Sequence, residues 1–258
     1  MNKFLSNKEV KFLSSLKQKK FRKQYNEFVI EGEKLIFESL NNNQIIKKIV
    51  YSKKIKNFDK LRKLSSEKNI PLHLCSEKDS QRISDTKNSQ QIFALIKCND
   101  IKELSDIKKL NNEPFIILDG ISDPGNMGTI LRTCSWFGCY NIIITKECVE
   151  IYNPKTVRSG MGAHFHITNI INDDNEKIIK FLKDNQYKIY SASLSGKPIE
   201  NLKIKDKKWA LILGNESKGI SKYFEKNSQQ IHIKGMGKME SLNVAEAASI
   251  VIHYLSKI

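Results

Sequence analysis

Three polar clusters that contain or border glycine stand out in the second half of the chain, because each lies next to an apolar run. They occupy residues 126–132 (NMGTILR), 213–219 (LGNESKG) and 240–248 (ESLNVAEAA). The first two follow strand-like segments, and the third opens a helix-like segment. In open α/β sheets, ligands bind near the turns that follow the carboxyl ends of strands. In a strongly basic chain, three such turns indicate an enzyme that acts on nucleic acid.

The first cluster follows a Pro-Gly turn and supplies one amide and one guanidinium group. Asn126 either caps the helix that begins here or contacts a ligand. Arg132 is either a solvated residue, the partner of an internal acid, or a guanidinium whose fork fits a phosphate or ribose. Gly125 and Gly128 lack the third glycine of a dinucleotide fingerprint. A dinucleotide-dependent oxidoreductase is therefore disfavoured.

The second cluster places an acid between two glycines, directly after the strand-like residues 209–213. Glu216 either caps a helix that begins near Ile220 or accepts hydrogen bonds from a ligand's amine or a ribose hydroxyl. The glycine spacing is that of a P-loop, but Ile220 and Ser221 stand where a P-loop has Lys followed by Ser or Thr. The cluster is therefore not a P-loop.

The third cluster follows a loop, residues 233–240, with two glycines and two methionines. Ser241 or Asn243 caps the apolar helix that comes next. Since one cap is sufficient, the other polar side chain is available to a ligand. The backbone amides and carbonyls of such a loop can bind the edge of an adenine without any charged side chain.

The positive charge of the chain is concentrated at its N-terminal end. The formal net charge is +16; residues 1–110 carry 25 Lys and Arg against 13 Asp and Glu, and residues 111–258 carry 19 against 15. A lysine-rich proteome would raise lysine everywhere, but it does not explain this asymmetry. We therefore expect the N-terminal lobe to bind a polyanion and the second half to perform the chemistry.

The cysteines and histidines indicate neither a disulfide framework nor a metal site. The five cysteines are scattered without metal-ligand spacing, and the five histidines form no cluster. An odd, scattered set of cysteines is typical of reduced thiols in the cytoplasm. The N-terminal residues lack the apolar core of a signal peptide, and no apolar run is long enough to span a bilayer. The sequence predicts a cytoplasmic protein with no metal and no membrane segment.

Alternating strand-like and helix-like segments predict an α/β protein in two parts. Residues 1–25 form a basic helix or extension, residues 26–98 a small α/β domain, and residues 99–112 a polar linker. In residues 113–258, strands separated by helices of about ten residues predict right-handed crossovers and a mostly parallel sheet with helices on both faces.

The three motifs, N-x-G-x-x-x-R, L-G-N-E-x-x-G and S-L-N-V-A-x-A-A, resemble in order and spacing the SpoU/TrmH family of the SPOUT methyltransferases. Residues 28–35 (FVIEGEKL) resemble that family's L30e-like substrate-binding domain, and residues 158–162 (RSGMG) resemble its middle segment. The resemblance implies methyl transfer from S-adenosylmethionine to a ribose 2′-hydroxyl of rRNA or tRNA. It also implies a homodimer formed through the C-terminal domain and a deep trefoil knot, which is an exception to the rule against threaded chains.

Position matching to the family implies roles for individual residues. The implied catalytic residues are Arg132, Asn126, Glu216, Ser241 and Asn243, and the implied cofactor-binding residues are Gly214, Asn215, Ile233, Met236 and Leu242. This chain departs from the family pattern at Lys234, where a proline is usual, and at residues 89–92, which lack the customary glycine. Neither departure touches a matched catalytic position.

The implied reaction requires alignment of the reactants and removal of one proton, because a ribose hydroxyl is a poor nucleophile and a sulfonium carbon is already electrophilic. Arg132 is an awkward base, since a guanidinium stays protonated in proteins. We expect Arg132 and a substrate phosphate to stabilise the developing alkoxide together. No metal is required.

The basic N-terminal segment is predicted to bind RNA through Lys19, Lys20, Arg22 and Lys23, with Phe21 and Tyr25 interleaved for stacking. Any single one of these basic residues is equally well explained as part of a solvated face. By analogy, the L30e-like domain favours 23S rRNA over tRNA. A catalytically inactive RNA-binding or ribosome-assembly protein on the same scaffold is the alternative, and the intact motif residues argue against it.

Overall fold

The computed structural model describes residues 3–42, 44–52, 55–107, 112–204 and 208–257. The chain divides into two compact units. The first contains Met1–Asn99 and Tyr152–Phe165, and the second contains Asp100–Ile151 and His166–Ile258. No helix in these described ranges is long and apolar enough to cross a membrane.

The first unit is a five-stranded mixed sheet with helices. Its first ten elements are β1 (Lys3–Phe4), α1 (Asn7–Ser15), α2 (Lys19–Tyr25), β2 (Glu27–Glu31), α3 (Glu33–Asn41), β3 (Ile46–Tyr51), α4 (Phe58–Glu67), β4 (Leu72–Leu74), α5 (Glu77–Ile83) and β5 (Ile92–Lys97). The strand order is β1-β4-β3-β5-β2, in which β5 is antiparallel to both neighbours and the other pairs are parallel.

The N-terminal helix is part of the first unit's core and not an extension, which differs from the predicted boundary at residue 25. The buried side chains of Val10, Leu13 and Leu16 pack with Val50 and Phe93 of the sheet. This apolar face was visible in the sequence, but the positive charge of the segment outweighed it in the prediction. Burial of three large apolar residues makes detachment of α1 costly.

The second unit contains most of the remaining elements. After β5 come β6 (Ile101–Lys102), β7 (Phe115–Asp119), α6 (Pro124–Trp136), β8 (Asn141–Ile144), α7 (Pro154–Gly160), β9 (Asn169–Ile171), α8 (Asn175–Asp184), β10 (Lys188–Pro198), β11 (Trp209–Gly214), α9 (Lys222–Lys226), β12 (Gln229–His232) and α10 (Val244–Leu255). Short 3-10 turns cover Leu104–Asp106, Ala163–Phe165 and Ile199–Asn201.

The sheet of the second unit has seven strands in the order β12-β10-β11-β7-β8-β9-β6, and every pair is parallel. Phe115, Ile117 and Ile212 pack against α8 in one buried cluster. Neighbouring strand residues point to opposite faces, and Ile116 and Leu211 are also fully buried. Both faces are therefore covered, as the near-continuous apolar runs of parallel strands require. The predicted α/β fold with a mostly parallel sheet is confirmed.

The boundary between the units differs from the predicted linker at residues 99–112. Ile101–Lys102 form β6, which pairs with β9 and so belongs to the second unit's sheet. A buried leucine, Leu104, joins that unit's core. Polar composition concealed this short edge strand in the sequence. Residues 108–111 of the predicted linker lie outside the described residues.

A segment of the second half of the sequence belongs to the first unit, which the sequence did not reveal. Tyr152 packs its ring on Phe28 at 4.8 Å, and its hydroxyl accepts a 2.9 Å hydrogen bond from the backbone amide of Asn99. The helix α7 contacts β2. The first unit is thus completed by Tyr152–Phe165, a stretch in which the family-like RSGMG motif lies.

Candidate active site

Four neighbouring strands bring the predicted motifs to one edge of the second sheet. In the order β12-β10-β11-β7, parallel strands place the turns that follow them at the same carboxyl edge. The first motif follows β7, the second follows β11, and the third follows β12. This is the edge at which open α/β sheets bind ligands.

Glu216 links the second motif to the first. Its carboxylate accepts hydrogen bonds from the backbone amide and the hydroxyl of Ser122, at 3.1 and 2.8 Å. It also accepts from the backbone amide of Asp123 at 3.1 Å and from Asn126 Nδ2 at 3.0 Å. The carboxylate therefore holds the turn after β7 through four donors, from residues about ninety positions away in sequence.

Asn126 and Asn243 extend this network to the third motif. Asn243 Nδ2 donates to Asn126 Oδ1 at 3.0 Å, while Asn243 Oδ1 caps α10 by accepting from the amide of Ala245. The cap of α6 is Asp123, whose carboxylate accepts from the amide of Asn126. Since Asp123 does the capping, the side chain of Asn126 is free to join Glu216 to Asn243. The interpretation of Asn126 as the helix cap is therefore wrong, and its role in the site stays a prediction.

The turn that carries Glu216 is rigid because its backbone closes on itself. Asn215 and Gly219 exchange two backbone hydrogen bonds of 2.9 Å. Asn215 Nδ2 donates to the carbonyl of Gly120 at 2.7 Å, which ties this turn to the end of β7. A Cβ on Gly214 would lie 2.5 Å from the carbonyl carbon of Gly219, so only glycine fits there. The two glycines of the motif thus fix the position of the acid.

Glu216 is held in its charged form without a cation. Partial burial alone would raise its pKa, but the hydrogen bonds from Asn126, Ser122 and Asp123 outweigh that effect and lower the pKa to about 2. Across the described part of the chain, no Lys or Arg forms an ion pair with this carboxylate. A perturbed, uncompensated charge at a strand edge is typical of a functional site.

Arg132 lies on the exposed face of α6, six residues after Asn126. Six helical residues span roughly 9 Å, so Arg132 is displaced along the helix from the hydrogen-bond network. Within the described ranges its guanidinium forms no ion pair with an acidic side chain, and the residue is exposed. The interpretation of Arg132 as the partner of an internal acid is therefore wrong, and the group is accessible to a phosphate.

The predicted cofactor loop is exposed and rich in apolar side chains. Met236 and Met239 are 90% and 86% exposed, Leu242 is half-exposed, and Ile233 is partly buried. Ser241 is exposed and forms no hydrogen bond with another described side chain. Such apolar side chains at a site edge can cover an adenine ring. The cofactor-binding role of this loop stays a prediction, and among the described residues its side chains form no hydrogen bond with Glu216.

The sequence reasoning missed the end of β10. Ala192 and Lys197 both pair with Ile231, so the register between β10 and β12 shifts and the residues between them form a bulge in β10. Ser193 and Ser195 donate to Gln230 Oε1, and a Cβ on Gly196 would lie 2.4 Å from the carbonyl oxygen of Gln230. The positive φ of Gly196 and this close approach require glycine. A glycine that follows alternating serines was the available signal.

Asp119 is a second residue that the sequence reasoning missed. Its carboxylate is buried at the end of β7 and accepts a 2.7 Å hydrogen bond from the backbone amide of Ser221. It therefore anchors the far end of the turn that carries Glu216. An acid directly after an apolar strand run was the signal for it.

The predicted RNA-binding residues of the first unit divide into two groups. Lys19, Lys20 and Lys23 are exposed on α2, and the Lys20 ammonium lies 4.7 Å from the centroid of the Phe21 ring. Arg22 differs from the prediction, since it is only 3% exposed and its Nη1 donates to the carbonyls of Leu16 and Lys17, both at 2.7 Å. The break between α1 and α2 turns this side chain inward, where it bonds to the carbonyls that follow the C-terminal end of α1.

The described ranges contain no group of three or more His, Cys, Asp or Glu side chains that could hold a metal ion. The described cysteines are all free thiols, and burial raises the pKa of the Cys139 thiol to about 12. Four of these cysteines are buried, and Cys148 is partly buried; a buried thiol with a raised pKa is a poor nucleophile.

Both parts of the chain match known protein families. Residues 113–253 match the SpoU rRNA Methylase family, and residues 7–94 match the MRM3-like substrate binding domain. The 23S rRNA (guanosine(2553)-2'-O)-methyltransferase RlmP of Bacillus subtilis is 32% identical over 252 residues, which cover 96% of each chain.

Solved structures agree with this assignment. An AdoMet-bound rRNA methyltransferase from Sinorhizobium meliloti is 27% identical, with a TM-score of 0.85 over 98% of this chain and 95% of that one. The SpoU methyltransferase AviRb from Streptomyces viridochromogenes is 18% identical and shares the fold, with a TM-score of 0.84 over 97% of both chains. The motifs, the parallel sheet and these matches together show that the chain belongs to the SpoU rRNA methylase family.

Proposed function

We propose that this chain transfers a methyl group from S-adenosylmethionine to a ribose 2′-hydroxyl of 23S rRNA. The observation that carries the proposal is the hydrogen-bonded chain Glu216–Asn126–Asn243, which joins all three family motifs at one sheet edge. The similarity to RlmP over nearly the whole chain supports 23S rRNA over tRNA. The match of residues 7–94 to a substrate binding domain supports a role of the first unit in holding the RNA.

The residues at the edge suit the proposed cofactor. When bound, S-adenosylmethionine supplies an electrophilic methyl group on a sulfonium centre. Gly214 and Asn215 would contact it through the rigid turn after β11, and Ile233, Met236 and Leu242 would cover its apolar surface from the exposed loop after β12. The bulged part of β10 between Ala192 and Lys197 would close the side beside β12.

The ribose side of the site is assigned to Arg132 together with the motif polar groups. The guanidinium is permanently charged, so it stabilises a developing alkoxide and orients a phosphate through its fork. Asn126, Glu216 and Asn243 keep the turns in place, and Ser241 lies next to them in the third motif. Most of the rate enhancement then comes from alignment of hydroxyl and methyl group.

RNA capture is assigned to the exposed lysines of the first unit. Lys19, Lys20 and Lys23 accompany the stacked rings of Phe21 and Tyr25, whose centroids are 6.4 Å apart. This combination suits phosphate contacts with base stacking. The proposed compartment is the cytoplasm, where an rRNA substrate and the free thiols of the described cysteines are both expected.

The proposed assembly is a homodimer formed through the second unit. Trp136 at the end of α6 is 83% exposed, and Ile250 on the adjacent helix α10 is also exposed. Large exposed apolar side chains on neighbouring helices support an interaction surface there, and Arg132 lies one turn before Trp136 on α6. Replacement Trp136→Ser is expected to convert dimer to monomer in sedimentation velocity, and a wild-type monomer would contradict the assembly.

The trefoil knot implied by the family resemblance is proposed on the path of the chain after β12. That strand is the edge of the sheet, yet α10 returns to contact α6, β10 and β11. The connecting residues must therefore cross the edge where the turns after β10 and β11 lie.

Methyl mapping in a deletion strain tests the proposed function. The strain should lack one 2′-O-methyl group in 23S rRNA, and the first position to inspect is the one equivalent to guanosine 2553 named for the Bacillus relative. Purified protein with labelled S-adenosylmethionine should restore it. Cofactor binding without transfer to any rRNA or tRNA would favour an inactive RNA-binding protein, and transfer to tRNA alone would reassign the substrate.

A further inference from the structure

Exposed cationic side chains follow each of the four strands that form the site edge. Lys234 follows β12, Lys197 lies at the end of β10, Lys218 lies in the turn after β11, and Arg132 lies on the helix after β7. All four side chains are exposed. In the described portion of the structure, their charged groups form no ion pair.

Four other lysines of the same unit bond to acidic or amide side chains. Lys146 pairs with Asp174 and Lys177 with Asp173, while Lys102 and Lys183 donate to asparagine side chains. Within the described ranges, the three lysines at the site edge form no such bond with an acidic or amide side chain. Lys238, in the same loop as Lys234, adds a fifth exposed cation against one acid of that loop, Glu240.

The backbone geometry sets the spacing of these charges. Neighbouring strands lie roughly 4.8 Å apart, so the ends of β12, β10, β11 and β7 span roughly 14 Å. That span fits a few consecutive phosphates of one strand. In the turn that carries Lys218, the backbone amides of Ser217 and Lys218 both donate to Asn215 Oδ1. These bonds fix the backbone position from which the Lys218 side chain extends.

We propose that Lys197, Lys218 and Lys234 form a phosphate-binding arc that holds the RNA backbone beside the target nucleotide, with Arg132 at its end. The inference rests on the proposed function and adds a second RNA contact surface to that of the first unit. A lysine ammonium is a point charge without a preferred direction, and phosphate contacts carry no sequence information. The arc contributes to RNA affinity and fixes the position of the RNA backbone at the site, while selection of the base depends on other residues.

The test compares two triple variants of the full chain. The arc variant carries Lys197→Gln, Lys218→Gln and Lys234→Gln. The control variant carries Lys180→Gln, Lys183→Gln and Lys226→Gln, which remove the same charge from exposed positions on α8 and α9. Binding of a 23S rRNA fragment is measured over a series of KCl concentrations, and binding of S-adenosylmethionine is measured by calorimetry.

The arc variant should reduce the slope of log affinity against log salt by roughly 2, since each single-strand phosphate contact contributes roughly 0.7. The control should retain most of the wild-type slope, and both variants should bind S-adenosylmethionine like wild type. A wild-type slope in the arc variant, or an equal loss in the control, would overturn the arc. Because binding is measured without turnover, failure of the arc is distinguishable from failure of methyl transfer.

Discussion

Two glutamates, one in each unit, have pKa values lowered to about 2, and they reach that state by different means. At the start of α1, Glu9 accepts a 2.6 Å bond from the Lys48 ammonium and completes a capping box with Ser6. Lys48 is the main cause of its lowered pKa. At the strand edge, partial burial raises the pKa of Glu216, but hydrogen bonds from the neutral groups of Asn126, Ser122 and Asp123 outweigh it and lower the pKa.

The difference separates a structural acid from a functional one. Glu9 has a cation, and its bonds join α1 to β3. Glu216 has no cation of its own among the described residues, while Arg132 stands unpaired on the same edge. Both carboxylates stabilise the folded chain in their charged form, but an arrangement that leaves two opposite charges without an ion pair suits a site whose ligands carry the opposite charges. We therefore expect the first carboxylate to affect stability and the second to affect catalysis.

The largest effect is expected at the unpaired cation of the edge. Arg132→Lys keeps the charge but removes the guanidinium fork, and should slow methyl transfer by at least about 100-fold, as for other misplaced catalytic contacts. The melting temperature should not change, because the side chain is exposed. A rate near wild type would show that the free cation has no role in the reaction.

A smaller effect is expected where the network joins its three motifs. Asn126→Asp keeps the size of the side chain but places a second carboxylate 3.0 Å from Glu216. Like charges raise the pKa of one another, so the pKa of Glu216 should rise and methyl transfer should slow by about tenfold or more. Asn126→Ser, which lacks the added charge, is the matched control. An unchanged Glu216 pKa in NMR titration of Asn126→Asp would contradict the assignment.

The structural carboxylate should affect stability alone. Glu9→Gln removes the ion pair with Lys48 and weakens the capping box, at a cost of roughly 1 kcal/mol in the free energy of unfolding. Urea titration measures that change. Methyl transfer per folded molecule should equal that of wild type at low temperature. A loss of activity in the folded variant would erase the distinction between the two acids.

The smallest effect concerns pH and salt. Both carboxylates have folded pKa values below the ordinary value of 4.5, so the stability they contribute is present above that pH and is lost as the pH falls from about 4.5 to about 2. Salt screens charge pairs more than bonds from neutral donors. At 0.5 M KCl the screening length is roughly 4 Å. This salt concentration should therefore raise the pKa of Glu9 more than that of Glu216, and NMR titration measures both values. An equal response would show that Glu216 depends on an unrecognised cation.

The fold was predictable where the sequence had a strong period, and less so where charge or polarity concealed packing. The apolar runs at Phe115–Asp119 and Trp209–Gly214 and the helix at Pro154–Gly160 were visible, since buried parallel strands and proline at a helix start leave clear patterns. The short strand at Ile101–Lys102 was not, because two residues carry no period. The membership of Tyr152–Phe165 in the first unit depends on contacts distant in sequence.

The site was predictable by residue type but not by bonding. Motif spacing identified Asn126, Glu216 and Asn243, yet it could not show that Asp123 would take the capping role and leave Asn126 for the network. Arg22 looked like its lysine neighbours, and only the turn between α1 and α2 directs it inward. Whether a basic side chain faces solvent depends on backbone direction, which composition does not encode.

Single-turnover methyl transfer at saturating S-adenosylmethionine and rRNA, measured for wild type, Glu216→Gln and Glu9→Gln, tests the central claim most directly. In Glu216→Gln, an amide NH2 group replaces one of the two carboxylate oxygens that accept hydrogen bonds. The rate of this variant should therefore fall by about 100-fold or more. Folded Glu9→Gln should keep the wild-type rate. The labelled methyl group should appear on a ribose 2′-oxygen. Equal rates for the two variants, or label on a base, would contradict the account.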